Sequence, residues 1–204
     1  MKKIIATLIL SSLILSTKIN AQESLEQKIH IGVDAIASLN KTTVNDGEES
    51  YNLDNTTNLN YKIKLGWQIY PNWTSQLYYS QETYENPIFT GKSDQRVTVY
   101  GFDIIRTFPT NLNVTPFIQY GVSLDTIDVE EGLAEITEDD LIQSVAAKIG
   151  GGIRLRISHS IDLLAGLDLQ LKAWPDISDG PNEDDILEIR EISGKLYTGI
   201  NYYF

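Results

Sequence analysis

Two histidines and no cysteine leave this chain a narrow range of side-chain chemistry. Ser158, His159 and Ser160 place an imidazole between two hydroxyls, an arrangement in which the ring could act as general base toward a serine. The same trio also reads as a tight turn, three polar residues between two alternating runs, and that reading is the expected one. His30 stands near the start of an alternating run, where a hydrogen-bonded interior imidazole is expected rather than a catalyst. Gly150, Gly151 and Gly152 lack the spacing and the following helix of a phosphate-binding loop, so they are expected to serve close packing or strand curvature. Carboxylates are the abundant reactive group. One polar segment carries Asp128, Glu130, Glu131, Glu135, Glu138, Asp139 and Asp140, and another carries Asp176, Asp179, Glu183, Asp184 and Asp185. Such clusters can hold Ca²⁺ or Mg²⁺ through oxygen, yet Pro175, five residues before Gly180, breaks the order of an EF-hand loop. A solvated acidic surface is expected, with weak bridging cations as the minor alternative and no cofactor or metal centre.

The beginning of the chain bounds its compartment. Met1, Lys2 and Lys3 precede an apolar stretch over residues 4–15, then more polar residues and Ala21. That is the order of a secretory signal peptide, and the apolar part is shorter than the roughly 20 residues of a membrane-spanning helix. Cleavage is expected after Ala21, giving residues 1–21 as signal peptide and residues 22–204 as one domain. Without cysteine there is no lipoprotein anchor, disulfide or thiolate metal site. Removing Lys2, Lys3 and Lys18 with the signal takes the formal charge from −12 to −15. An acidic surface of that kind disfavours nucleic acid, which needs cations facing its phosphates.

What must position any site is a set of alternating runs. Ile29, Ile31, Val33, Ala35, Ala37 and Leu39 alternate with polar residues, with Ile36 out of step. Leu59, Tyr61, Ile63, Leu65, Trp67 and Ile69 alternate with Asn60, Lys62, Lys64, Gly66 and Gln68 without exception. Period-2 runs of this kind are strands with one apolar face. The pattern recurs over residues 73–83, 96–107, 114–125 and 145–157, then over 162–173 with Leu164 out of step, and over 195–204. Most of these eight runs reach the 9 to 11 or so residues of a tilted membrane-crossing strand. Their connections alternate as well. Short turns fall at residues 70–73, 108–113 and 158–160, and long polar segments at 40–58, 84–95, 126–143 and 174–189, the asymmetry of bacterial transmembrane barrels with both chain ends in the periplasm.

Alternation also suits a soluble barrel whose apolar face surrounds a ligand. Two features favour the membrane reading. The polar face carries both signs of charge, in Asp34, Lys62, Lys64, Asp103, Lys148, Arg154, Arg156, Asp168, Lys172 and Lys195, which can pair across a narrow lumen. The last run ends on aromatics that suit the membrane interface. Gly199, Tyr202 and Phe204 resemble the terminal signal read by the outer-membrane assembly machinery, with Tyr197 standing where a polar residue is usual.

From about residue 22 to 204 the chain resembles the eight-stranded OmpA-like, OmpX and opacity-type outer-membrane barrels. The segments TPFIQYGV, from Thr115 to Val122, and AKIGGGIRLR, from Ala147 to Arg156, look like that group's fifth and sixth strands. The resemblance implies an all-β, eight-stranded antiparallel up-and-down transmembrane β-barrel in the outer membrane. It implies a monomer surrounded by lipid and lipopolysaccharide, with acidic extracellular loops able to meet an extracellular ligand or host surface. No segment follows the last run, so the cell-wall tether of longer OmpA proteins is not expected. Ser158, His159 and Ser160 also invite comparison with outer-membrane lipid A deacylases, but Ile161 stands where that family's His-x-Ser spacing needs serine. A non-enzymatic structural or adhesion-like role is therefore expected, with a lipid-modifying enzyme as the alternative and a small-solute channel or lipocalin-like binder behind it.

Overall fold

The computed structural model describes residues 29–45, 50–53, 57–84, 95–128, 141–174, 177–178 and 186–204. The signal-peptide reading and most of the acidic loop residues lie outside the described residues. All described secondary structure is extended. The long strands are β1 (Ile29–Asn45), β3 (Thr57–Tyr70), β4 (Trp73–Tyr84), β5 (Gln95–Thr107), β6 (Val114–Asp128), β7 (Leu141–Arg156), β8 (Ile161–Ala173) and β10 (Ile186–Tyr203), with short β2 (Ser50–Leu53) beside β1 and β9 (Ile177–Ser178) beside β10. Each long strand pairs antiparallel with the next, and β10 returns to β1. The result is a closed eight-stranded barrel without free edges along its wall, the condition for crossing a bilayer with strands.

The registers fix its shape. A path from Ile31 through Leu65, Leu77, Phe102, Val122, Ala147, Leu171 and Ile192 returns to β1 at Lys41, ten residues further along. A stagger of that size goes with strands tilted about 35–45° to the axis and an interior wide enough for side chains only. The short turns are built from local bonds. Pro71 presets one corner, and Asn72 closes it at φ 67°, in the left-handed region that asparagine tolerates; its carbonyl accepts the Thr107 amide at 2.8 Å. At the third short turn the amides of Ile157 and Ser158 both donate to the Ile161 carbonyl.

The faces divide as the alternation requires. Ile31, Val33, Ile63, Leu65, Leu77, Ile149, Leu167, Leu169, Leu196 and Ile200 are exposed on the outside, while Asp34, Lys62, Lys64, Gln76, Gln119, Lys148 and Gln170 are buried inside. A continuous apolar exterior in water is an aggregation surface; in a bilayer it is the solvated face. Both residues that broke the sequence pattern, Ile36 and Leu164, point inward and are buried.

The strands run further than the alternation suggests. β1 continues to Asn45, β6 to Asp128 and β10 begins at Ile186, within stretches expected to be loop. The reason is that the polarity of the two faces reverses there. Outward positions become Lys41, Thr43, Gln81, Thr83, Arg96, Thr98, Gln143 and Arg190, while Val44, Val97, Val99, Ile127, Ile142, Trp174 and Ile189 form a buried apolar cluster inside. At its outer end the barrel thus has the polarity of a water-soluble one, and the reversal marks where the apolar belt stops.

Candidate functional site

The interior is the place where reactive groups converge. Buried carboxylates of Asp34, Glu82, Asp103, Asp125, Asp162, Asp168 and Glu191 meet the buried ammonium groups of Lys62, Lys64, Lys148, Lys172 and Lys195 and the half-buried guanidinium of Arg154. Alternation alone places them there, since each occupies an inward position of its strand. Asp34 holds two lysines, Lys62 at 3.0 Å and Lys64 at closer range. Asp103 pairs with Lys148 at 2.9 Å. Lys172 joins Asp125 at 2.6 Å to Glu191 at 3.5 Å, and Lys195 pairs with Glu82. Toward the mouth bearing the short turns Asp162 receives Arg154 at 3.6 Å and Arg156 at 3.5 Å. Arg156 is on the rim rather than within the lumen, its side chain 58% exposed.

Asp168 accepts a hydrogen bond from Gln119 Nε2 at 2.5 Å. Two tyrosines complete the packing. Lys148 Nζ sits 4.0 Å from the Tyr78 ring centroid, and Lys62 lies 5.3 Å from Tyr78 and 5.0 Å from Tyr197. Desolvated cations over aromatic faces gain on the order of 2 kcal/mol. Glu82, Asp125 and Glu191 escaped sequence reasoning because they lie near the outer end, next to the zone where the faces reverse.

Glycines make this density of side chains possible. Asp34 lies across Gly199, Asp103 across Gly121 and Asp168 across Gly150, each carboxylate opposite the glycine on the neighbouring strand. A Cβ added at any of the three would meet carboxylate oxygen at 1.9–2.0 Å. The His30 ring covers Gly66 in the same way, and Phe117 covers Gly152. Gly150 and Gly152 therefore serve close packing, as expected, and Gly199 has a structural duty of its own beside the resemblance at the chain end.

One cavity among the described residues, lined by Lys62, Tyr78, Ser80, Lys148, Asp168 and Lys195, gives about 10 Å³ to the centre of a water molecule, room for about one water. No group of acidic or histidine side chains among the described residues has the geometry to hold a metal ion. The His30 ring packs 5.1 Å from that of Tyr203, with Gln76 as its polar neighbour. His159 is exposed in the turn after β7, where the Ser158 hydroxyl oxygen accepts the Ser160 amide at 3.3 Å. That oxygen is caught in turn geometry at the mouth opposite the reversed zone. His159→Ala is expected to leave lipid A unaltered, as mass spectrometry of lipid A from complemented cells would read; a missing acyl-chain product would revive the enzymatic reading.

At the chain end, the Phe204 amide donates to the Ile29 carbonyl at 3.0 Å. Tyr202 and Phe204 meet edge to face at 5.2 Å on the outer surface. With Tyr70, Trp73 and Phe108 they form an aromatic band at the end bearing the short turns, Arg106 lying 5.3 Å from the rings of both Trp73 and Phe108.

No known family model matches the chain, and no curated relative does. Among solved structures, Neisserial surface protein A superposes with a TM-score of 0.57 at 18% identity, over 86% of this chain and 97% of that one. The outer membrane protein AlkL, solved in lipid bilayers, superposes with a TM-score of 0.56 at 10% identity, over 93% and 95%. Identities this low speak to architecture alone, and the architecture agrees with the apolar exterior and closed ladder. The chain has the fold of the eight-stranded outer-membrane β-barrels.

Proposed function

We propose that the protein is a non-enzymatic, monomeric outer-membrane barrel with a sealed lumen, acting through its stability in the membrane and through what its acidic extracellular loops present to a ligand or host surface. The observation that carries this reading is the filling of the interior. Paired charges occupy the middle of the lumen, and the apolar cluster around Trp174 and Ile127 closes it toward the outside. A small-solute path would need a continuous wet column, and an apolar layer of packed side chains dewets any such column. Gly199, Tyr202 and Phe204 act, in this reading, as the segment that the assembly machinery binds.

The test is reconstitution into planar bilayers together with a liposome-swelling assay using small sugars. No conductance steps and no swelling beyond empty vesicles are expected. Reproducible unitary currents that vanish on unfolding would replace the sealed barrel with a channel.

A further inference from the structure

Three buried polar atoms around the cavity described above have no hydrogen-bond partner among the described residues: Ser80 Oγ, Glu82 Oε2 and Tyr197 OH. Their residues are no more than 3% exposed. Buried donors and acceptors left unmade are costly, and in native proteins they are met by protein or by ordered water. A single water can accept from the two hydroxyls and donate to the carboxylate. Yet the lumen is closed on both sides of the cavity. Toward the outside stands the apolar cluster with Val97, Ile127, Ile142 and Trp174. Toward the short turns stand buried Ile105, Phe117 and Leu164, nearer the turns than Asp103, Gln119 and Asp168 on the same strands.

The wall, by contrast, has a break. The β3–β4 ladder ends at Tyr61 opposite Gln81, although β3 reaches out to Thr57 and β4 to Tyr84. The rungs Asn60 to Glu82, Leu59 to Thr83 and Asn58 to Tyr84 are missing. In the outer half of the described wall every other long ladder runs to within one residue of the end of one of its strands. At the break the Thr83 amide donates to the Asn60 side-chain oxygen at 3.2 Å, and Asn60 Nδ2 donates to Ser38 Oγ at 3.4 Å. One carboxamide thus pins three strands where the backbone ladder fails. On the outer surface Tyr61 OH donates to Gln81 Oε1 at 2.7 Å, closing the last rung, and Leu59 beside the gap is 83% exposed. Gln81 and Thr83 belong to the zone whose outer face is polar, so water reaches the break from outside. Inside, the first missing rung lies against the cavity, which is lined by Glu82 and by Ile36, the β1 partner of Asn60.

We propose that this break is a side door, pinned by Asn60, through which water reaches a one-molecule hydration site formed by Ser80, Glu82 and Tyr197, while both ends of the lumen stay closed. Entry through the wall gives the charged chamber a hydrated contact without a column of water crossing the membrane. Closure of the two ends belongs to the reading above and is tested there by bilayer currents; the door is tested by water.

The experiment follows water in the whole detergent-folded protein, each variant first confirmed folded by its shift in electrophoretic mobility on boiling. Oxygen-17 magnetic relaxation dispersion counts long-lived buried water and reads its residence time. Ser80→Val, which removes a hydroxyl and puts a methyl into the cavity, should lose one long-lived water relative to the unaltered protein. Asn60→Ala should shorten the residence of that water by about tenfold, the rate equivalent of one lost hydrogen bond. Ser38→Ala loosens the same pin from β1; it should act in the same direction and decides the matter if Asn60→Ala does not fold. An unchanged water count in Ser80→Val overturns the hydration site. Unchanged residence in the folded pin variants overturns the door. Faster exchange in Ile142→Ala alone, which opens the outer apolar cluster, overturns it in favour of entry through the mouth.

Discussion

Asp34→Asn should destabilise the barrel by about 3–5 kcal/mol, the range for removing one partner of a buried ion pair. Asparagine keeps the shape that fits over Gly199, so the loss isolates charge from packing. What it strands is two ammonium groups, Lys62 and Lys64, each no more than 4% exposed. Neither can reach bulk water from the middle of a filled lumen, and the nearby Tyr78 and Tyr197 rings offset only part of the lost pairing. Urea unfolding in phospholipid vesicles measures the effect. Adding Lys64→Met to Asp34→Asn removes one stranded charge and should recover at least about 1 kcal/mol, a coupling ordinary for residues sharing one network. If Asp34→Asn costs less than about 1 kcal/mol, below the range for a broken buried pair, then water enters the lumen freely and the sealed interior is wrong.

A second large effect is expected on the opposite face. Leu167→Lys should cost about 2–4 kcal/mol in vesicles, the penalty for an ammonium near the bilayer midplane. Leu167 is 63% exposed on the outside, between Gly151 and Leu196 on the flanking strands. Gln170, three residues on, is buried, lies opposite Lys148 and donates to the Ser123 hydroxyl at 3.3 Å. Gln170→Lys introduces the same group to the lumen and should be milder by at least about 1 kcal/mol, although Lys148 opposite it narrows the gap. Gln170→Glu turns that neighbour to advantage and should be milder still. If either change at Gln170 proves worse than Leu167→Lys, the apolar face is not in lipid, and a soluble ligand-binding barrel becomes the reading to follow.

These predictions also show which parts of the molecule could be read from residue order. The eight strands, the short turns at one end and the inward direction of Asp34, Lys62, Lys64, Asp103, Lys148, Arg154, Asp168, Lys172 and Lys195 follow from period-2 alternation, because strand geometry allows a side chain two directions only. The reversed zone did not follow. Val44, Val97, Ile127, Ile142 and Ile189 keep the parity of the polar face, so a rule that assigns one polarity to each face sees the strand stop where its surroundings change from lipid to water. Pair identity was illegible for another reason. Asp34 meets Lys62 and Lys64 through the stagger between β1 and β3, whereas Lys195 meets Glu82 across the barrel, and the sequence separations of these contacts carry no periodic trace. The duty of Gly199 beneath Asp34 depends on the same closure of β10 onto β1.

That closure joins sixteen residue pairs, from His30 opposite Tyr203 to Asn45 opposite Glu188, and so welds the first described strand to the last. Until the C-terminal strand exists the wall has two open edges, each a template for wrong pairing. The seam is thus the contact of highest sequence separation in the molecule, and topology of this kind slows folding because loop-closure entropy must be met before the pairing rewards it. A nascent chain gains nothing from inserting early. It depends on being held unpaired until β10 can meet β1, so removal of β10 would leave an open sheet exposed to aggregation rather than a slightly weaker barrel.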